Sequence, residues 1–258
     1  MADLSKVLLA IEPHAKPAIV SGFVAASLDC INRADLSTPL RQAHFLAQCA
    51  HESDGFRTTV EYASGKAYEG RGVLGNTHAG DGARYKGRGL IQLTGRDNYR
   101  AFGAALGLPL EADPELAAKF PAAALVAAEY WRARRINEYA DHDSVEGCTR
   151  KVNGGLNGLA SRKAYLARAK RALADVKGAL IDRAHEEAGK AAAKTKAATT
   201  IATSGAATAG AAPFADGSST WVVVAAGVSL ALIAVGLFFA IRRHGATVAA
   251  LTTAAQEA

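Results

Sequence analysis

Apolar residues recur at helical spacing through most of the first 187 positions, and strand-like alternation is almost absent. Thr38-Pro39 offers a cap followed by proline at the first helical position. Leu40, Ala43, Ala47 and Ala50 then line one face, which predicts a helix running to Glu52. Asp113-Pro114 repeats that start signal, and Pro121 opens an Ala-rich helix through Leu125, Tyr130 and Trp131. Ser161 is placed to cap a long last helix whose Tyr165, Leu166, Ala169, Leu173, Val176 and Leu180 form one apolar stripe. Between Gly65 and Gly95 the periodicity dissolves into glycine, with Gly70, Gly72, Gly75, Gly80, Gly82, Gly87 and Gly89, which predicts loops and a small hairpin around a cleft.

Past this region the pattern changes twice. From Ala188 to Thr220 the composition collapses to Ala, Thr, Gly, Ser and a few Lys, which cannot bury enough apolar surface and reads as a flexible linker. Trp221 to Ile241 is then free of charge, and at about 1.5 Å per residue such a run spans roughly the 30 Å of a bilayer core. Trp221 at one edge and Arg242, Arg243 and His244 at the other suit the two interfaces of a transmembrane helix. The predicted organisation is a mainly α domain over 1–187, a linker over 188–220, a membrane helix over 221–241 and a short tail over 242–258. The basic flank puts the C-terminus in the cytoplasm and the domain outside. Asp3, Lys6, Glu12, His14 and Lys16 interrupt the first 20 residues, so no secretory signal is expected and synthesis starts in the cytoplasm.

Charge narrows the partners. A formal net charge of +6 on 258 residues suits an anionic cell-wall polymer, nucleic acid or a membrane surface. No basic run alternates with aromatics and no zinc-finger or helix-turn-helix spacing occurs, so nucleic acid is not expected as a partner. Cys30, Cys49 and Cys148 are scattered without metal-ligand spacing and read as buried free thiols. Neither a metal nor a cofactor is expected.

The chemistry lies in His51-Glu52-Ser53, Glu61 and the polar segment Tyr85 to Gly95. Glycosidic hydrolysis needs one carboxylic acid to protonate the leaving oxygen and one carboxylate to act on water or carbon. Glu52 and Glu61 are nine positions apart, which on a continuous helix would face them in opposite directions. They share a cleft only if the chain bends, and Ser53, Asp54 and Gly55 supply the breaking chemistry. Glu69 is the next candidate for the second carboxylate.

His44-Phe45-Leu46-Ala47-Gln48 leading into His51-Glu52-Ser53, then Glu61, then Gly87-Arg88-Gly89-Leu90-Ile91-Gln92-Leu93-Thr94-Gly95 with Asn98-Tyr99, and Asn153-Gly154-Gly155 with Asn157-Gly158, resemble the glycoside hydrolase family 19 endolysins of bacteriophages and prophages. The resemblance covers about the first three quarters of the chain. It implies a lysozyme-like α-helical fold, related to plant-type chitinases, and inverting hydrolysis of β-1,4 bonds in amino-sugar polymers, with peptidoglycan the substrate in the phage branch. It further implies Glu52 as general acid, Glu61 as general base and Thr94 as the hydroxyl that helps hold the attacking water. Gln92, Asn98 and Asn153 match substrate-contacting positions, where amides read hydroxyl and acetamido groups without adding charge. His51 is either structural or sugar-contacting. Arg88 pairs with a catalytic carboxylate or with the scaffold. Tyr62, Tyr85 and Tyr99 stack on sugars or fill the core. The segment between Glu61 and Tyr85 is shorter than in many relatives, and the C-terminal apolar span is no part of the catalytic module.

Rival functions remain. A lytic transglycosylase would work with one acid and would not need Glu61. A chitinase would use the same pair on a neutral polymer. A membrane-tethered wall-binding lysis accessory protein would need neither glutamate. For a phage lysin, a holin is a conceivable partner.

Overall fold

In the computed structural model, which describes residues 2–206, the α-helices are α1 (Ala2–Ile11), α2 (Pro17–Ala34), α3 (Pro39–Glu52), α4 (Asp81–Arg84), α5 (Arg96–Leu106), α6 (Ala122–Ala133), α7 (Asn137–Ala140), α8 (Val145–Asn153) and α9 (Leu159–Ala206). Short 3-10 turns occupy Lys66–Tyr68, Gly72–Leu74 and Pro114–Ala118. Residues 1–192 form one compact unit.

Local chemistry sets the helix ends. Thr38 is extended, and its hydroxyl accepts from the Arg41 amide at 3.2 Å with Pro39 in the first turn, so α3 begins where the cap and proline predict. α2 starts at Pro17 and stops at Asp35, which takes a left-handed φ of 48° while its amide donates to Ile31. α6 is the central element. Its small residues Ala123, Ala124, Ala127 and Ala128 are fully buried, so neighbouring helices can approach closely, and α2 packs along it. Trp131 of α6 meets the ring of Phe45 edge-on at 5.3 Å, and Phe23 joins Phe45 to Phe56, which seats α2 and α3 on a common aromatic core. Tyr165, Leu166 and Ala169 of the last helix are buried, and Leu173 and Val176 pack against the same core, as the stripe predicts. The three cysteines are free and buried. Burial pushes the Cys30 thiol up to about 12, so it is inert as a nucleophile at neutral pH.

Several expectations are corrected. The Asp113-Pro114 start yields only the 3-10 turn to Ala118, because Pro121 follows closely and disfavours helical backbone at the residue before it. α9 begins at Leu159, two residues before Ser161, after Gly158 at φ 70° has ended the preceding turn; the Ser161 hydroxyl meets His51 Nδ1 at 3.1 Å. The expected hairpin is reduced to two isolated bridges, Val60 with Arg88 and Arg88 with Leu93. The linker expected from Ala188 is helical as far as Ala206, since alanine and lysine are strong helix formers whose preference here outweighs the poverty of apolar surface. Positions 207–220, the span Trp221 to Ile241 and the tail lie outside the described residues. Among the described residues no helix is long and apolar enough to cross a membrane.

Candidate active site

The two glutamates are separated by a sharp corner. α3 ends on Glu52, and the Ser53 hydroxyl donates to the Cys49 carbonyl at 2.6 Å while accepting from the Phe56 amide at 3.0 Å. Asp54, Gly55 and Phe56 then all take left-handed φ values of 52°, 69° and 56°. Such a conformation is unfavourable for phenylalanine. Its fully buried ring, packed on Phe23, holds it there. This is the bend that Ser53, Asp54 and Gly55 predict, and it releases Glu61 from the helix axis.

Glu52 is tied down from the far end of the domain. Arg162, near the start of α9 and only 1% exposed, donates from Nη2 to Glu52 Oε1 at 2.5 Å. Its Nη1 also donates to Gln48 Oε1, one turn earlier on α3, and its Nε to the Asn157 carbonyl at 3.2 Å. The second carboxylate oxygen of Glu52 meets no protein donor among the described residues and is left for substrate.

Glu61 is held by the glycine-rich segment. Its amide donates to the Gly87 carbonyl at 2.9 Å, and the Gly87 amide donates back to Oε2 at 2.9 Å. A side chain at position 87 would press within 2.7 Å of Gln92 Oε1 and 3.2 Å of Glu61 Oε2, so glycine is required for this close approach. The Tyr68 hydroxyl donates to Oε1 at 2.9 Å. Burial, and then the bond to Glu61, raises the Tyr68 phenol above its usual range, so the proton stays on the tyrosine. A carboxylate offers about four lone-pair positions, so two remain for a water.

A cavity of about 630 Å³ is lined by Glu52, Tyr68, Gln92, Thr94, Asn98 and Asn153, among others. Glu61 is not itself among the lining residues; Tyr68, which bonds its carboxylate, and Gln92, which meets it at Gly87, are. Thr94 donates its hydroxyl to the Gln92 carbonyl at 2.9 Å, leaving its lone pairs free, and Asn98 braces the Thr94 carbonyl at 2.6 Å. Gln92 sits at φ 55° with its amide nitrogen on the Gly89 carbonyl at 3.1 Å. Asn153 closes α8 and forms the turn after it, donating to the Asn157 carbonyl at 3.1 Å and accepting from the Gly155 amide at 2.8 Å.

The other sequence candidates fall outside this cavity. Tyr85 is 1% exposed with its hydroxyl donating to the Glu111 carbonyl at 3.0 Å, and Tyr99 is fully buried with its hydroxyl donating to the Lys86 carbonyl at 2.7 Å, so both are core rings without a face for a sugar. Arg88 is buried, pairs with Glu115 and donates to the Tyr99 hydroxyl at 3.1 Å; it belongs to the scaffold and meets neither Glu52 nor Glu61. His51 packs on Gly158 and Ser161, and burial, then the nearby Arg162 charge, holds it below its usual value. Tyr62 is exposed and donates to Asp54 at 3.0 Å. Glu69 accepts from the Gly80 and Gly82 amides at 2.6 and 2.8 Å and serves as a loop clamp. Sequence reasoning missed Tyr68 and Arg162. The signal for Arg162 was present: it lies three and four residues before Tyr165 and Leu166 on the buried stripe, where a cation requires a partner.

Glu52 lines the cleft and Glu61 is bonded to the lining residue Tyr68, each oriented by fixed donors, an arrangement whose chemistry suits paired proton transfer. Comparison with known proteins gives the family. The family model for class I chitinases of glycoside hydrolase family 19 matches residues 22–154. A glycosyl hydrolase family 19 domain-containing protein of Haemophilus influenzae is 36% identical over 181 residues, covering 58% of this chain and 86% of that protein. An endochitinase of Arabidopsis thaliana is 36% identical over 113 residues, covering 44% of this chain and 38% of its own. Among solved structures, chitinase C of Streptomyces griseus superposes with a TM-score of 0.54 at 24% identity, over 67% of this chain and 77% of that one. A class IV chitinase of Zea mays does so with a TM-score of 0.52 at 20% identity, over 69% and 94%. The mainly α-helical architecture is therefore the lysozyme-like fold of these chitinases, and the chain belongs to glycoside hydrolase family 19 and is a glycosidase.

Proposed function

We propose that this glycosidase is an endolysin that hydrolyses the β-1,4 bonds between amino sugars of peptidoglycan, with inversion, in host cell lysis. The observation that carries the reading is Glu52 tethered by Arg162 on an amide-lined cleft, with Glu61 held by the Gly87 segment and bonded to Tyr68 of the cleft wall. Glu52 protonates the leaving oxygen through its free oxygen. Glu61 takes a proton from a water steadied by Thr94, and Gln92, Asn98 and Asn153 read the sugar substituents. Inversion calls for a carboxyl separation of roughly 6.5–9.5 Å, enough to admit that water. The Ala-rich chain after the domain and the uncharged run from Trp221 to Ile241 support a membrane anchor that keeps the enzyme beside the wall on the periplasmic side, with a holin as the partner that controls access.

The test compares wild type, Glu52→Gln and Glu61→Gln on purified peptidoglycan. Both variants should be inactive with unchanged melting temperatures, and wild-type products should carry free reducing ends of inverted anomeric configuration. Anhydro sugars together with an active Glu61→Gln enzyme would replace this reading with a lytic transglycosylase. The endochitinases among the relatives favour a second reading, chitin hydrolysis, which cleavage of chitooligosaccharides with peptidoglycan left intact would establish. For the anchor, protease added to spheroplasts should digest the catalytic domain and spare a C-terminal tag; a protected domain would refute the periplasmic placement.

A further inference from the structure

Four cations, Arg71, Arg134, Arg150 and Lys151, line the cavity that holds Glu52. None of them is ion-paired among the described residues. The acids nearby are already engaged, Glu52 by Arg162 and Glu61 by Tyr68 and Gly87. Several arginines elsewhere do find carboxylates, as Arg96 does with Asp81, Arg100 with Glu111 and Arg41 with Asp141. The cleft is thus a local excess of positive charge, four cations around a single lining carboxylate that is already paired.

Three of these cations are also seated. The Arg134 guanidinium lies 4.1 Å from the centre of the Tyr130 ring, Arg71 lies 5.8 Å from that of Tyr68, and Lys151 Nζ 5.5 Å from that of Tyr139. A guanidinium resting on an aromatic face keeps its N–H edge available for an acceptor, and the stacking reduces the entropy lost on binding one. Tyr68 and Tyr130 line the same cavity, so two of the cations are fixed to its walls. A neutral chain of acetylated amino sugars offers such a rim only hydroxyl and carbonyl dipoles. A glycan carrying peptide branches offers carboxylates on either side of the scissile bond. Resting on the reading that the substrate is wall glycan, we infer that Arg71, Arg134, Arg150 and Lys151 bind the peptide-branch carboxylates and set a preference for anionic over neutral chains.

The experiment uses the full chain on three probes: native peptidoglycan, the same peptidoglycan with its carboxylates converted to neutral amides by carbodiimide and ethanolamine, and neutral chitooligosaccharides. Neutralisation should lower the wild-type kcat/KM about tenfold, mainly through KM, because each exposed charge contact is worth up to roughly fivefold. Arg134→Gln/Lys151→Gln removes half of these contacts and should lose about threefold on native peptidoglycan while changing little on the neutralised form. Arg71→Gln/Arg150→Gln is a second, independent pair with the same expectation. Equal wild-type rates on native and neutralised peptidoglycan overturn the proposal while leaving the peptidoglycan reading intact, and so does an equal loss by the variants on both forms. Cleavage of chitooligosaccharides with neither peptidoglycan form attacked overturns the peptidoglycan reading itself.

Discussion

Replacing Arg162 by methionine keeps most of the side-chain bulk and removes the guanidinium. Glu52 Oε1 and Gln48 Oε1 then lose their donor, and the Asn157 carbonyl keeps only that of Asn153. Gln48 is fully buried, and the side chain of Glu52 is 17% exposed, so water compensates only in part. Removing one partner of a buried ion pair costs roughly 3–5 kcal/mol, and the exposure of Glu52 places this case near the lower end, at about 3 kcal/mol. For a domain of this size that corresponds to a fall in melting temperature of about 6–12 °C. Glu52 should also swing out of register, so kcat should fall by well over tenfold while binding of a non-hydrolysed oligosaccharide changes little. Arg162→Lys restores the charge without the planar fork that reaches three acceptors, and should recover only part of both losses. Circular-dichroism melts and steady-state kinetics on the three proteins decide the matter. A methionine variant melting within about 1 °C of wild type, with kcat unchanged, would show that Glu52 needs no tether.

Thr94→Val removes a hydroxyl that contacts no charged group, so turnover should slow by roughly a few-fold to tenfold without stopping; an unchanged rate would take Thr94 out of the site. Glu69→Gln should leave the catalytic rate within a few-fold of wild type and lower the melting temperature, since the Gly80 and Gly82 amides lose a charged acceptor; abolished cleavage in a folded protein would make Glu69 the base in place of Glu61. Asp81 is held at about 2 by its hydrogen bonds from Arg96, with the His78 amide adding to the effect. Because the folded value lies below the unfolded one, its stabilisation is complete above about pH 4 and is lost as pH falls toward 2. The melting-temperature gap between wild type and Asp81→Asn should therefore be widest near pH 6 and narrow steadily below pH 4, and a gap that does not vary with pH would refute the assignment.

What could be read from the chain was local. Thr38-Pro39, the Ser53-Asp54-Gly55 bend and the stripe on α9 each depend on residues within a few positions of one another, and each is found where the spacing put it. The failures share a different cause. Tyr85 and Tyr99 carry the same polar tip whether a ring is core or platform, and only the arrival of Glu111 and Lys86 carbonyls decides for core. For Arg88 the sequence leaves a catalytic carboxylate and a scaffold ion pair open, and the structure gives the scaffold pair, with Glu115 from the segment before α6. The partner of Glu52 lies 110 positions away, beyond any pattern of period 2 or 3.6. The linker reading failed at 188–206 because composition measures how much surface can be buried, while an alanine-rich helix needs little burial to persist from an anchored start.

The segment between Glu61 and Gly87 is a closed lasso. Its two ends are knotted by the reciprocal bonds of Glu61 and Gly87, and Lys86 reaches back to the Glu61 carbonyl at 3.1 Å. The Glu61 carboxylate is therefore set by the knot. Apart from the Tyr68 hydroxyl, what lies inside the loop does not hold it. Doubling the length of a loop whose ends are already fixed costs only about 0.6 kcal/mol of closure entropy. Residues inserted around Val73, which projects into solvent, should add or remove sugar subsites like exchangeable cassettes, leaving the distance between Glu52 and Glu61 where the corner at 54–56 and the knot at 61–87 have put it.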